Sequence, residues 1–142
     1  MLKTIYNQRI TILNKLKRAD SLTNEDVWYK HVIDNAARYK KVERGASASS
    51  AIINTYTQIL IPFQTDTPYM AYSYWKLPGN QDDSFTLSTG DYIILGDVTE
   101  TILASNIVKI IQQYGDLACQ VKHYTECAKR FSATVQLEIE GV

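Results

Sequence analysis

The chain has 142 residues, of which 45% are hydrophobic and 21% charged, and its formal net charge is zero. This length suits one compact domain whose core needs neither disulfides nor a metal for support. A zero net charge argues against a protein whose main task is to neutralise a nucleic-acid backbone. The polar N-terminus and the lack of a long apolar run predict a protein made in the cytoplasm, without a membrane span.

Charge is divided unevenly along the chain. Residues 1–45 carry ten Lys and Arg against five Asp and Glu, and the remainder carries five against ten. Folding that interleaves the two parts would leave this pattern without consequence. The other interpretation is a subunit with complementary faces, which associates head to tail into a ring.

The first half of the chain predicts three strands, because apolar residues recur at every second position or fill both faces. The strands cover residues 8–14, 27–39 and 52–61. The second strand is expected to bend near Asp34-Asn35, and Pro62 ends the third because proline cannot donate to the ladder. The small residues from Gly45 to Ser50 predict a mobile loop.

The middle of the chain is richest in turns and aromatic residues. All three prolines lie between Pro62 and Ser84, and the run Tyr69–Trp75 there predicts a strand flanked by two irregular loops. The segment Phe85–Val98 has a strand, turn and strand pattern, in which Gly90-Asp91 forms the turn of a hairpin into a strand over Tyr92–Leu95.

The last third predicts one helix and two strands. Ile107, Ile110, Ile111 and Tyr114 stand at helical spacing, so we expect a helix within Thr99–Gly115 that packs an isoleucine stripe on the sheet. Thr101 or Ser105 can cap its start, and Gly115 supplies its end. The closing strands cover residues 117–124 and 131–140.

These elements predict a mainly β protein. Six to seven strands with one short helix, and no alternation of strands and helices, favour an antiparallel β-barrel or sandwich. We expect a single domain over residues 1–142, with a barrel core over about residues 8–61 and 85–140 and an irregular loop region over residues 62–84.

Residues able to carry chemistry are few. His31 and His123 each fall within a predicted strand, and no motif places a nucleophile or a carboxylate beside them. We interpret both as structural or surface residues and predict no enzyme activity, so that alanine at either affects stability more than any turnover. A small hydrolase on the same barrel is the least favoured class.

Acidic and glycine positions are better explained by turns than by ligands. Asp82-Asp83, Asp91 and Asp97 lack the alternate-residue spacing of a calcium loop. Gly90 and Gly96 flank a strand, whereas a phosphate loop needs clustered glycines between a strand and a helix. The sequence therefore predicts no catalytic residues, no metal site and no cofactor.

Cys119 and Cys127 are the two cysteines, and the seven residues between them match no zinc or redox motif. Two buried thiols in a reducing cytoplasm are the main interpretation. A disulfide across a hairpin is the alternative.

Tyr69, Tyr72, Tyr74 and Trp75 form the densest aromatic patch. Stacked aromatic side chains on a barrel can bind single-stranded nucleic acid, but such a platform normally lies in a basic groove, and only Lys76 is near in sequence. We favour core packing or a protein–protein interface for these four residues.

Three blocks, taken in order, resemble a family of small head and neck proteins from phages and prophages of Gram-positive bacteria. The first is Arg9-Ile-Thr-Ile12 with Trp28 and the stretch Val32–Tyr39, and the second is Ile59-Leu-Ile-Pro-Phe63 with Tyr69 and Trp75. The third is Phe85–Val98, followed by a helix ending at Tyr114-Gly115-Asp116 and a closing strand. The opening strand and the Gly-Asp-Tyr hairpin are also similar to the head-tail joining, or stopper, class of β-barrel proteins.

This resemblance implies a structural virion protein at the neck. A stopper or head-completion protein assembles as a homo-oligomeric ring, expected to hold six or twelve copies, under the portal or adaptor. Its partners would be portal, adaptor and tail proteins, with packaged DNA as a further contact in the channel. The chain is longer than a minimal stopper barrel, mainly at Pro62–Ser84 and in the helix.

Two alternatives stay open. One is a tail terminator or another minor capsid or tail component, and the other is a single-stranded nucleic-acid binder with an OB-like barrel. In the ring interpretation we expect Pro62–Ser84 to contact a neighbouring subunit or ring, because long loops in a compact domain usually have a function.

Overall fold

The computed structural model describes the backbone of residues 8–46, 51–62, 68–127 and 132–138, and the side chains of residues 8–38, 57–61 and 68–122. Within these residues six strands form a closed barrel. They are β1 (Gln8–Leu16), β2 (Val27–Ala46), β3 (Ala51–Pro62), β4 (Tyr92–Leu95), β5 (Ala118–Cys127) and β6 (Ser132–Glu138). The helices are α1 (Tyr72–Trp75), α2 (Ile107–Tyr114) and two 3₁₀ turns, Arg18–Asp20 and Gly115–Leu117.

All neighbouring strands of the barrel pair in the antiparallel direction. Strand order around it is β1-β2-β3-β6-β5-β4, and β4 pairs with β1 to complete the circle. The pairing between β4 and β5 is short, because only the three residues from Tyr92 to Ile94 pair with β5. The mainly β class and the antiparallel barrel predicted from the sequence are confirmed.

The barrel interior holds the main apolar core. Alternate residues of neighbouring strands supply it, as the register predicts, with Ile12 opposite Ile93 and Ile93 opposite Cys119. Its buried members are Ile10, Ile12, Ile33, Ala36, Ile59, Ile61, Phe85, Leu87, Ile93, Cys119 and Val121.

A second core lies on the outer face of β1, β4 and β5, where α2 covers the sheet. Ile107 and Ile110 of the helix pack with Leu13, Ile94 and Ala118 of the strands. The isoleucine stripe therefore packs on the sheet as predicted. Burying each of the leucine and isoleucine side chains stabilises the fold by roughly 1.5–3 kcal/mol. Because β1 has a core on each side, its residues from Ile10 to Asn14 are all buried.

The predicted bend in β2 is a β-bulge. Gln8 pairs with Ala36 and Ile10 with Ile33, so Asp34 and Asn35 together oppose the single residue Arg9. Asn35 adopts a φ of 62°, a left-handed conformation that asparagine tolerates better than most residues. Beyond the bulge, β2 continues to Ala46, and residues 47–50 of the predicted loop lie outside the described residues.

The predicted helix is wrong in extent. The helix starts at Ile107 and not near Thr99, because Asn106 closes the preceding turn: its Oδ1 accepts from the Leu103 amide at 2.7 Å, and its Nδ2 donates to the Thr101 carbonyl at 2.9 Å. Neither Thr101 nor Ser105 is the N-cap residue. Gly115 ends the helix with a positive φ of 55°, as predicted.

The aromatic run Tyr69–Trp75 is not a strand. Tyr69 makes one isolated parallel bridge with Phe85, and Tyr72–Trp75 forms α1. Phe85–Ser88 is likewise not the first arm of a hairpin, although Gly90 makes the predicted turn with a φ of 100°. The strand pairing there runs instead between Gly90-Asp91 and Val121 of β5.

Candidate functional site

Residues 68–91, called the cap below, close the barrel at the end where β1 finishes. The cap is held together by its own backbone, since Phe85 donates to the Pro68 carbonyl at 3.0 Å and Met70 donates to the Phe85 carbonyl at 2.9 Å. Trp75, Phe85 and Leu87 bury their side chains completely or almost so. Phe85 and Leu87 join the interior core.

Trp75 is the anchor of the cap. Its ring is fully buried, packs edge-on against Tyr29 of β2 with a centroid distance of 5.6 Å, and donates from Nε1 to the Ser84 carbonyl at 2.9 Å. Gln81 donates from Nε2 to the Trp75 carbonyl at 2.5 Å. Because the buried indole packs against Tyr29 and its N–H has an acceptor, Trp75 fixes the position of the segment that carries it.

The four aromatic residues of the predicted interface have different surroundings. Trp75 belongs to the core, Tyr69 packs at 61° against the Phe85 ring, and Tyr72 is half-buried. Tyr74 is 65% exposed, and Leu77 beside it is 50% exposed. Of the predicted set, Tyr74 is the member whose side chain offers a large accessible surface.

Tyr72 ties the cap to the connection between β1 and β2. Its hydroxyl donates to Asp20 Oδ2 at 2.7 Å and accepts from the Lys17 amide at 3.1 Å. The Lys17 ammonium lies 4.9 Å from the ring centroid, a cation–π distance. Burial and the neighbouring carboxylate raise the pKa of Tyr72 to about 12, so its hydroxyl stays protonated and able to donate.

His31 contacts the cap from β2. It is buried, and its Nε2 lies 2.7 Å from the Gln81 carbonyl, which fastens β2 to the cap. Burial lowers the pKa of His31 below its ordinary value despite this hydrogen bond. The imidazole is therefore neutral at pH 7 and donates its Nε2 proton to the carbonyl. The side chain of His123 lies outside the described side chains.

Asp91 and Asn14 form a buried polar pair between the cap and β1. Asn14 donates from Nδ2 to Asp91 Oδ2 at 2.9 Å and to the Thr86 carbonyl at 2.6 Å, and its Oδ1 accepts from the Thr86 amide at 3.1 Å. The carboxylate of Asp91 also accepts from the amides of Lys15, at 3.1 Å, and Ser88, at 3.2 Å. Burial raises the pKa of Asp91 to about 6, and these hydrogen bonds oppose the rise.

Asn14 was not among the candidate residues from the sequence. Its signal is an amide directly after Ile10–Leu13 inside a predicted strand, where asparagine is rarely favoured. A buried amide in that place requires polar partners. Which partners it finds cannot be read from local spacing, because Asp91 lies 77 residues away.

The remaining candidates lie apart from one another. Asp82, Asp83 and Asp97 are exposed, whereas Asp91 is buried. Among the residues that the structure describes, no group of three or more His, Cys, Asp or Glu side chains is placed to hold a metal ion. Cys119 is a free buried thiol, and burial raises its pKa to about 12, which makes it a poor nucleophile.

The opposite end of the barrel carries a long hairpin. β1 pairs with β2 as far as Ala36, and β6 pairs with β3 only from Tyr56 onward. Strands β2 and β3 continue past both limits and pair with each other up to Ala46 and Ala51. Residues 42–46 and 51–55, called the arm below, extend about 15 Å at the usual rise of a strand, with no third strand among the described residues.

The described structure defines a small barrel with one capped end and one end that carries the arm. The chain belongs to a family of unknown function, DUF6751, whose model matches residues 5–142. No curated protein and no solved structure matches the chain. No helix among the described residues is long and apolar enough to cross a membrane.

Proposed function

We propose that the protein is a non-enzymatic structural component of a phage neck, a stopper or head-completion protein that assembles as a ring beneath the portal or adaptor. The observation that carries the proposal is the arm. Its two strands have polar backbone edges with no strand partner among the described residues, and such edges are where strands of another chain pair. A tail terminator or another minor virion protein would use the same strand pairing at the arm.

The capped end supplies a second contact in this proposal. Tyr74 and Leu77 are large apolar side chains on the outside of the cap, while Trp75 and Gln81 beneath them hold the cap to the barrel. A rigidly supported aromatic residue with a leucine beside it is typical of an interface core. The ring proposal thus uses the arm at one end of each subunit and the Tyr74–Leu77 surface at the other.

The sequence blocks that resemble phage neck proteins support the choice of ring. The first block includes β1 and the bulged part of β2, and the third includes β4. Division of charge into a basic and an acidic part of the chain is compatible with heterologous contacts, in which each subunit presents different faces to its two neighbours.

Shortening the arm tests the proposal. Lys41 and Tyr56 are paired, so a two-residue Asn-Gly turn in place of residues 42–55 joins them without changing the register of the barrel. We expect wild-type protein to form closed rings at rising concentration, and the shortened variant to remain a folded monomer. Sedimentation velocity and electron microscopy give the outcome, and a wild-type chain that stays monomeric at millimolar concentration contradicts the proposal.

The second contact has a matched control. Tyr74→Ser combined with Leu77→Ser removes the exposed apolar pair of the cap and is expected to weaken ring formation without changing the melting temperature by more than a few degrees. Leu22→Ser removes an apolar side chain that is 99% exposed in the connection between β1 and β2, and should assemble like wild type. Equal assembly of all three proteins would remove the cap surface from the proposal.

Single-stranded nucleic-acid binding has less support in the cap. A stacking platform needs accessible aromatic faces, and Trp75 is buried while Tyr69 and Tyr72 are half-buried. A fluorescence titration with oligonucleotides at low salt separates the two functions. The ring proposal predicts weak binding at most, without preference for sequence, and tight saturable binding would favour the OB-like alternative.

A further inference from the structure

Three polar atoms lie buried without a hydrogen-bond partner in the protein at the end of the barrel that carries the arm. They are Gln8 Oε1 of β1, Arg38 Nε of β2 and Thr57 Oγ1 of β3. The Thr57 side chain is completely buried. Native structures leave few such atoms, so three on adjacent strands call for an explanation.

The register places the three side chains on one face. Gln8 is opposite Ala36, and Arg38 is the next residue of β2 on the same side. Arg38 is in turn opposite Ile59, and Thr57 is the next residue of β3 on that side. Ala36 and Ile59 both belong to the interior core, so the shared face is the inside of the barrel. Such diagonal neighbours have Cα atoms about 7–8 Å apart, within reach of an arginine side chain.

Arg38 crosses this mouth of the barrel. It starts on β2 and donates from Nη2 to the carbonyl of Asp116 at 2.9 Å, just before β5 begins. Strand β5 is separated from β2 by β3 and β6 in the barrel order, so the guanidinium spans the opening. Its positive charge also reaches Cys119, where it opposes the rise in thiol pKa that burial causes.

The Arg38 guanidinium has no ion-pair partner among the side chains that the structure describes. Salt bridges among the described side chains join Arg9 to Asp34 and Lys76 to Asp20, and none involves Arg38. A buried Nε–H without a partner is costly unless an acceptor reaches it, and an anion gives the strongest such contact because the hydrogen bond is charge-assisted. Two of the three atoms, Arg38 Nε and Thr57 Oγ1, can donate and suit a carboxylate, whereas Gln8 Oε1 is an acceptor, so the Gln8 amide must turn over to offer its NH₂ group.

We propose that the mouth of the barrel at Gln8, Arg38 and Thr57 binds a carboxylate group. The group is either a small free carboxylic acid or an acidic side chain of a second copy of this chain. Both sources present two oxygens to the same donors, with Arg38 Nε as the central contact and Thr57 Oγ1 beside it. The site stands on the buried donors and does not depend on ring formation.

Titration with formate tests the free source. In dilute ¹⁵N-labelled protein, the Arg38 Nε–H resonance is expected to shift saturably with sodium formate and not with sodium chloride at equal ionic strength. Thr57→Val should raise the formate dissociation constant about tenfold, because one hydrogen bond is lost. It should still fold, since it replaces a buried hydroxyl without a partner by a methyl group. Arg18, an exposed arginine, is the internal control and should not shift.

Self-association tests the second source. If the carboxylate belongs to a second copy, Thr57→Val and Arg38→Gln weaken self-association measured by sedimentation equilibrium, and formate competes with it in wild type. The proposal is overturned when formate produces no saturable shift and both variants associate like wild type. It is also overturned when the formate shift is the same in Thr57→Val, or the same at Arg18, because the binding would then not use the buried donors.

Discussion

Asp91 places a carboxyl group where three N–H donors converge inside the protein. Its partners come from β1 and from the cap itself, so a single side chain joins the two. Burial nevertheless raises the pKa of Asp91 from 3.8 to about 6, which means that the low polarity of the site outweighs the three hydrogen bonds. The hydrogen bonds of Asp91 join specific partners, but keeping the buried carboxyl group ionised at neutral pH costs free energy of folding.

The raised pKa of Asp91 predicts a pH dependence of stability. Between pH 3.8 and about 6 the folded protein binds a proton that the unfolded chain does not. The free energy of unfolding contributed by this group is therefore fully present below pH 3.8 and is lost as pH rises through about 6. From pH 7 to pH 4 we expect wild type to gain about 2 kcal/mol relative to Asp91→Asn.

Urea unfolding of both proteins at several pH values measures this difference. Asp91→Asn loses one hydrogen bond, because its NH₂ group must face an N–H donor, but that loss does not vary with pH. Every other titrating group is common to the two proteins and cancels in the comparison. Parallel pH profiles for wild type and Asp91→Asn would mean that Asp91 keeps its ordinary pKa in the folded protein.

At the scale of elements, the cap seals the end of the barrel where β1 finishes. Trp75 is buried against Tyr29 of β2, and His31 of β2 donates to the Gln81 carbonyl of the cap. The cap contributes core residues to the barrel, so it is a part of the fold and not an appended loop. Deleting it to test for an interface would unfold the barrel.

Trp75→Phe is expected to destabilise the protein by about 2–3 kcal/mol. The substitution leaves the Ser84 carbonyl without its donor and creates a cavity beside Tyr29. Trp28→Phe is the matched control, because Trp28 is half-buried on the outer face against Tyr92, and should cost about 1 kcal/mol or less. Chemical denaturation gives both values, and equal losses would contradict the role of Trp75 as anchor.

The elements that the sequence predicted well are those whose burial follows a simple period. Alternation located β1, β3 and β6 to within a few residues, and Asp34-Asn35 marked the bulge in β2. The aromatic residues in Tyr69–Trp75 suggested a strand, but this preference reflects packing on any half-buried surface, and here the surface is the end of the barrel.

Contacts between distant residues limited the prediction of the site. The sequence singled out Asp91 as a turn residue and did not identify its pairing with Asn14, because only the closed barrel brings residues 77 positions apart together. The same holds for Arg38, whose partner is a carbonyl 78 residues away. Helix α2 was predicted too long because Thr101 or Ser105 was taken as its cap, whereas Asn106 is the N-cap residue.

The whole molecule has two unlike ends, and most of the charged side chains that the structure describes take no part in the two salt bridges found among them. Only two salt bridges form among the described side chains, while Asp82, Asp83 and Asp97 are exposed. A neutral protein with many charges outside salt bridges has surfaces of both signs available for contact. In a ring with heterologous interfaces, the basic part of one subunit would meet the acidic part of the next.

This charge pairing predicts that ring formation weakens with salt. The screening length falls from about 10 Å at 0.1 M to about 3 Å at 1 M, so contacts between exposed charges lose most of their attraction over that range. We expect the dissociation constant of wild-type rings, measured by sedimentation velocity, to rise at least about tenfold between these concentrations. The variant with the shortened arm should be monomeric throughout and controls for effects of salt on the subunit. Association that is unchanged or strengthened by salt would assign the interface to apolar contacts such as Tyr74 and Leu77, because salt does not screen apolar burial.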